Sequence, residues 1–325
     1  MKRALCYITA TVLLLSLLAG CGPAEENAAE PAAVNVGGIL GPTGMALVHL
    51  RERSEAGEEG YNYNVTFEPA PDVVQARLMS GEIDIGALPT NMASVVFNRT
   101  GGDIRILAVS RLNILYILTA PGVEISSVAD LRGKTLFTAG QGATQEYVLD
   151  YLLRESGLDP AADLTVEYKS EHAEVVALLL DGKCDAALLP QPHVTSAMKQ
   201  NPGLKMAIDI NEEWKRLNAD VELAMSCIVA RKDFLEENPA AGGDFLKHYA
   251  ESAAFPADNP EEAAALMGEY GVIPEAVALE AIPHSGLACV TGDEMKAAVK
   301  EYLEILYRQN PQSAGGSLPD DGIFY

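Results

Sequence analysis

Basic charge is scarce in this sequence: 325 residues carry 23 Lys and Arg against 46 Asp and Glu, a formal net of −23. A chain this acidic offers no basic face for a phosphate backbone, which excludes nucleic acid as a partner. Aromatic residues make up only 6% of the chain, with a single Trp, so a binding site must lean on backbone and small polar groups. Five dispersed His and five Cys without a CxxC pair leave too little for a metal cluster, and nothing calls for a cofactor. The 48% hydrophobic content supplies enough apolar material for a core, and the length suits two domains better than one.

One uncharged, mostly apolar run stands out. Lys2 and Arg3 precede it and it spans residues 5–20, short of the ~20 apolar residues that cross a bilayer. A positive start and an apolar stretch of this length form an export signal. The run ends in Leu17-Leu18-Ala19-Gly20-Cys21, which resembles the lipobox of bacterial lipoprotein signal peptides. The resemblance implies that residues 1–20 are a lipoprotein signal peptide, cleaved before Cys21, whose sulfur takes the lipid. A plain secretory signal with an incidental Cys is the alternative. Residues 21–32 are small, acidic and Pro-containing and read as a flexible tether to the cell membrane. Processing leaves 21 basic against 46 acidic residues, a net of −25. Cys184, Cys227 and Cys289 then remain, best read as three buried free thiols.

From residue 33 on, strand and helix patterns alternate, which argues for an α/β architecture with largely parallel sheets. Two stretches share a phrase: residues 78–87 read LMSGEIDIGA and residues 178–187 read LLLDGKCDAA. In each a helix ends, a Gly supplies the left-handed cap, and an Asp precedes an apolar strand, followed by Leu-Pro. The pattern suggests two lobes of like construction.

These pieces resemble the type 2 periplasmic-binding-protein fold, and within it the nitrate/sulfonate/taurine and thiamine-precursor group of ABC-importer solute-binding proteins. The resemblance is carried by the early Gly41-Pro42-Thr43 loop, the residue 78–87 phrase and residues 124–140 (EISSVADLRGKTLFTAG). A long strand before Arg231-Lys232-Asp233-Phe234 also contributes. It implies two α/β lobes with mixed, mostly parallel sheets joined by two crossing hinge strands, near residues 113–119 and 221–230. Lobe one would hold residues 33–115 plus 228–325, and lobe two residues 116–227. It also implies a monomer that captures a small-molecule solute in the interlobe cleft and hands it to an ABC permease and its ATPase.

In α/β lobes ligands bind beyond the carboxyl ends of strands. Four loops meet that description. The first holds Gly41, Pro42, Thr43 and Gly44, the second Leu88, Pro89, Thr90 and Asn91. The third holds Gly140, Gln141, Gly142, Ala143 and Thr144, and the fourth includes Gln191 and His193. Residues 88–91 are expected to form a turn with an N-cap. Three of the loops run into helices, whose first N–H groups can hold an anion without a cation. Thr43, Thr90, Asn91 and Thr144 supply hydroxyl or amide groups that could instead cap helices. Arg111 is the one basic residue near these loops, suited either to a carboxylate or sulfonate or to a hinge salt bridge.

No loop contains Phe, Tyr or Trp, which favours a small polar or anionic solute of the sulfonate, nitrate or taurine kind over a pyrimidine. Import is the leading role. A ligand-sensing lipoprotein and, less favoured, an exported enzyme on the same fold are the alternatives. No clustered nucleophile and base supports catalysis, so the reading is binding without chemistry.

Overall fold

A computed structural model describes residues 33–41, 43–218 and 221–325. The expected export signal and tether, with Cys21, and Pro42 lie outside the described residues. The chain begins with β1 (Val34–Ile39), a 3-10 turn and α1 (Val48–Glu55), then β2 (Tyr63–Glu68), α2 (Pro71–Ser80), β3 (Ile85–Pro89), α3 (Thr90–Thr100) and β4 (Ile104–Leu112). Next come β5 (Leu115–Thr119), β6 (Thr135–Ala139), α4 (Thr144–Glu155), β7 (Thr165–Lys169), α5 (His172–Leu180), β8 (Ala186–Pro190), α6 (His193–Gln200), β9 (Lys205–Asp209) and α7 (Ile210–Leu217). The chain continues through β10 (Ala224–Arg231), α8 (Lys232–Glu237), α9 (Ala241–Asp258), α10 (Pro260–Glu269), α11 (Glu275–Ala281), β11 (Leu287–Val290) and α12 (Gly292–Gln309).

The strands form two sheets, ordered β11-β4-β10-β3-β1-β2 and β7-β6-β8-β5-β9. In the first, β1 to β4 run one way and β10 and β11 oppose them. In the second only β5 opposes the rest. The chain crosses between sheets from β4 to β5 and again on the way to β10. β10 lies wholly in the first sheet, with Ala224 opposite Leu112, and Leu115 pairs with Pro190 in the second. Residues 224–227 therefore sit with the first sheet and Leu115 with the second. That corrects the expected divisions at 115/116 and 227/228, because the hydrogen-bond ladder, not the apolar run, fixes where each strand starts. Residues 88–91 also depart from expectation: β3 continues through Pro89 and α3 starts directly at Thr90.

The repeated phrase has one structural meaning in both sheets. Gly81 and Gly182 adopt positive φ after α2 and α5. Asp84 Oδ2 accepts the Asn35 N–H at 2.9 Å, and Asp185 Oδ2 accepts the Thr135 N–H at 2.8 Å. Each Asp thus ties its strand to the start of the parallel neighbour, β1 or β6.

The sheets share a core. On α12, Met295, Val299, Tyr302, Leu303 and Leu306 form a buried stripe at helical spacing. The helix packs on β4 and β10 of the first sheet and on α4 of the second. Trp214 of α7 lies 5.8 Å from the Tyr302 ring and 5.2 Å from Tyr151 of α4. One apolar cluster runs from Ile106 and Val109 of β4 to Leu136 of β6. Cys184 and Cys227 are buried, Cys289 half-buried, and all three are free thiols.

Candidate functional site

A cavity of about 700 Å³ opens where the carboxyl ends of both sets of strands converge. β1, β3, β4, β6 and β8 contribute Ile39, Pro89, Arg111, Ala139 and Pro190 to its wall. The loops after β2 and β7 add Pro69 to Pro71 and Ser170 to Ala173. A further wall, Gly271 to Pro274 with Gly268 and Val277, comes from the α10–α11 connection. α11 rests on α6 of the other sheet: Lys199 Nζ donates to the Ala276 carbonyl at 3.2 Å and pairs with Glu280. The lining is mostly apolar and contains no Phe, Tyr or Trp.

Arg111 is the polar centre of this wall. It is 1% exposed and lies near the end of β4, between Ser226 of β10 and Leu287 of β11. Its Nη1 donates to the Ser285 carbonyl. That carbonyl can approach because the next residue is Gly286, at φ +55°. A Cβ there would fall 1.9 Å from the Leu112 carbonyl oxygen. Arg111 Nε and Nη2 are buried and have no hydrogen-bond partner, and no carboxylate pairs with Arg111 among the described residues. Burial lowers the Arg111 pKa to about 9, which keeps the side chain charged at neutral pH. A buried cation lacking its counter-ion is costly, and the cost is relieved when an anion enters.

Two histidines face each other across the second-sheet side. His172, opening α5, and His193, opening α6, have ring centroids 5.1 Å apart and tilted by 40°. His172 Nδ1 is buried without a partner. Burial lowers both pKa values, to about 3 for His172, where His193 adds to the effect, and to about 4 for His193. Both imidazoles are neutral at physiological pH. An unfolded His titrates near 6.5, so below that pH the unfolded chain binds protons that the folded protein refuses. The stability these rings contribute is present above pH 6.5 and is lost as pH falls toward 4. We expect a drop of about 2–4 kcal/mol for the pair, below the full shift because both rings keep some solvent contact. Melting curves from pH 7 to pH 4.5 should show a steeper loss for the wild type than for His172→Gln/His193→Gln. Parallel curves would remove the pair from the account.

Among the residues singled out from sequence, Gly41, Thr43, Pro89, Arg111, Gly140, Ala143 and His193 line the cavity. Thr43 Oγ1 is engaged with the backbone of Ile39, accepting its N–H and donating to its carbonyl, each at 3.1 Å. Gly44 is buried beneath Phe67 and Val272, and Leu88 and Thr90 are fully buried. Gln141 and Gly142 are exposed and outside the lining. Gln191 is buried, and its Oε1 accepts from the Thr195 N–H and hydroxyl at 3.2 and 2.9 Å. Thr144 Oγ1 lies 3.2 Å from Asn91 Oδ1 and 3.3 Å from the Met225 carbonyl, and accepts from Tyr302 Oη at 3.0 Å. Asn91 Nδ2 donates to the carbonyls of Gly142 and Ser313. Thr144 and Asn91 therefore join the two sheets and the C-terminal helix rather than facing the cavity.

The helix-terminus expectation also changes. The Gly142 N–H donates to Glu146 and the Thr195 N–H to Gln191, so the starts of α4 and α6 are partly satisfied by the protein itself. The sequence reading missed His172 and the wall at residues 268–277. His172 follows β7, and the strand-end rule that found the other loops applies to it equally.

The NMT1-like family model matches residues 27–268. The comparison with curated proteins gives no match. Among solved structures, an ABC transporter from Parabacteroides distasonis aligns with TM-score 0.73 and 21% identity, covering 90% of this chain and 99% of that one. The periplasmic aliphatic sulphonate binding protein SsuA from Escherichia coli aligns with TM-score 0.69 and 22% identity, covering 87% and 94%. The periplasmic nitrate-binding protein NrtA from Synechocystis PCC 6803 gives 0.68 and 17%, covering 86% and 82%. At these identities the likeness establishes the fold, which is the two-lobed type 2 periplasmic-binding-protein fold.

Proposed function

The chain belongs to the NMT1-like family, and from that membership we propose that it is the solute-binding component of an ABC importer. It captures a small organic anion between its two lobes and presents it to a membrane permease and its ATPase. The observation that carries the reading is Arg111: a buried guanidinium with two unpartnered nitrogens in the wall of a cavity of about 700 Å³. That volume lies within the range of small-molecule sites. The protein performs no chemistry on the solute. Closure is a population shift driven by the contacts the solute makes to both lobes at once. Lipid on Cys21 would hold the protein as an extracytoplasmic monomer beside its permease.

Calorimetry and thermal melting of the full chain against organic anions, nitrate and neutral pyrimidines test this. We expect one or more organic anions to bind and to raise the melting temperature, with about 2.7 kcal/mol of stabilisation at a hundredfold excess over Kd. Binding of a pyrimidine with no response to any anion would overturn the reading. The absence of Phe, Tyr and Trp from the cavity wall counts against a stacked heterocycle.

A further inference from the structure

We propose that the solute is amphipathic and docks by its polar end on the second lobe, where Gln145, Ser170, His172 and His193 select it, while its apolar body lies against the first lobe. This selectivity rests on the binding role proposed above and names the residues behind it.

The hydrogen-bonding side chains of the cavity wall divide unevenly between the lobes. On the first lobe the hydroxyls are taken up internally: Thr43 Oγ1 is bonded to the Ile39 backbone, and Ser226 Oγ to Ser110 Oγ at 3.0 Å. Arg111 brings positive charge to that side, with Nη1 on the Ser285 carbonyl. On the second lobe, Gln145, Ser170, His172 and His193 line the cavity, and none of their side chains hydrogen-bonds to another of the described residues. They come from three connections. Gln145 is the second residue of α4, Ser170 and His172 join β7 to α5, and His193 opens α6. Each connection follows a strand of the second sheet, so three carboxyl ends bring polar groups to one place.

Two polar tips stand clear of side chains. His193 Nε2 lies 3.7 Å from where a Cβ on Gly41 would stand, and Gln145 Oε1 2.8 Å from where one on Gly140 would stand. His172 faces the His193 ring, with centroids 5.1 Å apart, and its Nδ1 has no partner. A neutral imidazole, a carboxamide and a hydroxyl each donate and accept, so the set suits a head group with several polar atoms. Left unpaired as closure expels water, it would cost affinity. Glu171, the one carboxylate in the wall, is exposed, and solvent screens its charge.

The first-lobe wall offers the complement. Ile39, Leu40, Pro71, Val272, Ile273 and Val277 border the same space, where a hydrocarbon body is favoured over water. A solute polar at both ends would be stripped of water against this wall without compensation. A wholly apolar one would leave the second-lobe groups unpaired.

Calorimetry on the full chain with acetate, hexanoate, methanesulfonate, hexanesulfonate and neutral hexanamide tests this. Each six-carbon anion should bind about a hundredfold more tightly than its short analogue. His193→Leu and Gln145→Leu should each weaken both six-carbon anions about tenfold or more, whereas His193→Gln, which keeps a hydrogen-bonding group, should stay within about threefold. Leu40→Ser combined with Val277→Ser should instead shrink the chain-length gain to about tenfold. Melting curves at pH 7 check that each variant folds. Affinity indifferent to residues 145 and 193, or no gain with chain length, overturns the inference while leaving an anion binder. If only hexanamide binds, and does so through His193 and Gln145, the anion reading falls and the docking mode stands. If no six-carbon compound binds, the inference and the binding role beneath it fall together.

Discussion

Arg111→Met should change stability and affinity in opposite directions. On the binding role proposed above, the variant loses its charge-assisted contact to the solute. Truncating one side of such a pair costs 2–5 kcal/mol, roughly a hundredfold or more in Kd. The apo protein should gain. At 1% exposure and with no counter-ion, the guanidinium carries a desolvation cost that a methionine of similar length does not. The Ser285 carbonyl loses its Arg111 donor, which offsets about 1 kcal/mol of that gain. A net gain of about 1–3 kcal/mol in the apo state is expected, a rise of several degrees in melting temperature. Melting curves without ligand and calorimetry with the tightest anion read the two effects separately. A variant that melts lower and still binds would make Arg111 a structural residue and remove the ground for an anionic solute.

Thr144→Val shows the reverse pattern. Thr144 is 1% exposed, and its hydroxyl stands at the junction of Asn91, the Met225 carbonyl and Tyr302 Oη. Valine keeps the shape and removes the oxygen, leaving Tyr302 Oη without its acceptor in a buried setting. Unpaired buried groups of this kind cost about 1–3 kcal/mol each, and coupling within the network adds to the loss. A fall of about 2–4 kcal/mol is expected, on the order of 5–10 °C in melting temperature. Thr144 is absent from the cavity lining, so ligand affinity should change by less than about threefold. A large loss of affinity with apo melting unchanged would return Thr144 to the ligand-binding set.

The contrast between Arg111 and Thr144 shows what a linear reading can reach. Strand ends are visible in the chain because apolar runs stop at Gly and Pro. For that reason Gly41, Pro89, Gly140 and His193 fall on the cavity. The repeated Gly–Asp phrase was equally visible, although the pairing of Asp84 with β1 and Asp185 with β6 emerges only when the strands lie side by side. Side-chain direction at a helix start is different. Thr144 and Gln145 are neighbours about 100° apart around α4, and only Gln145 reaches the cavity while Thr144 points to Asn91 and Tyr302. The wall at residues 268–277 and the Ser285 carbonyl join the site across more than 150 positions of sequence from Arg111. Nothing local marks residues 268–277, since their role depends on how α10 and α11 dock.

That distant wall has a consequence for how such a protein diversifies. The stretch matched by the family model ends at residue 268, whereas Val272, Ile273, Pro274 and Val277, and the carbonyl that fixes Arg111, come after it. The stretch shared with the family and this part of the cavity wall thus lie in different parts of the chain. Exchanging residues 271–277 alone would recast one side of the cavity while leaving every strand of both sheets in place.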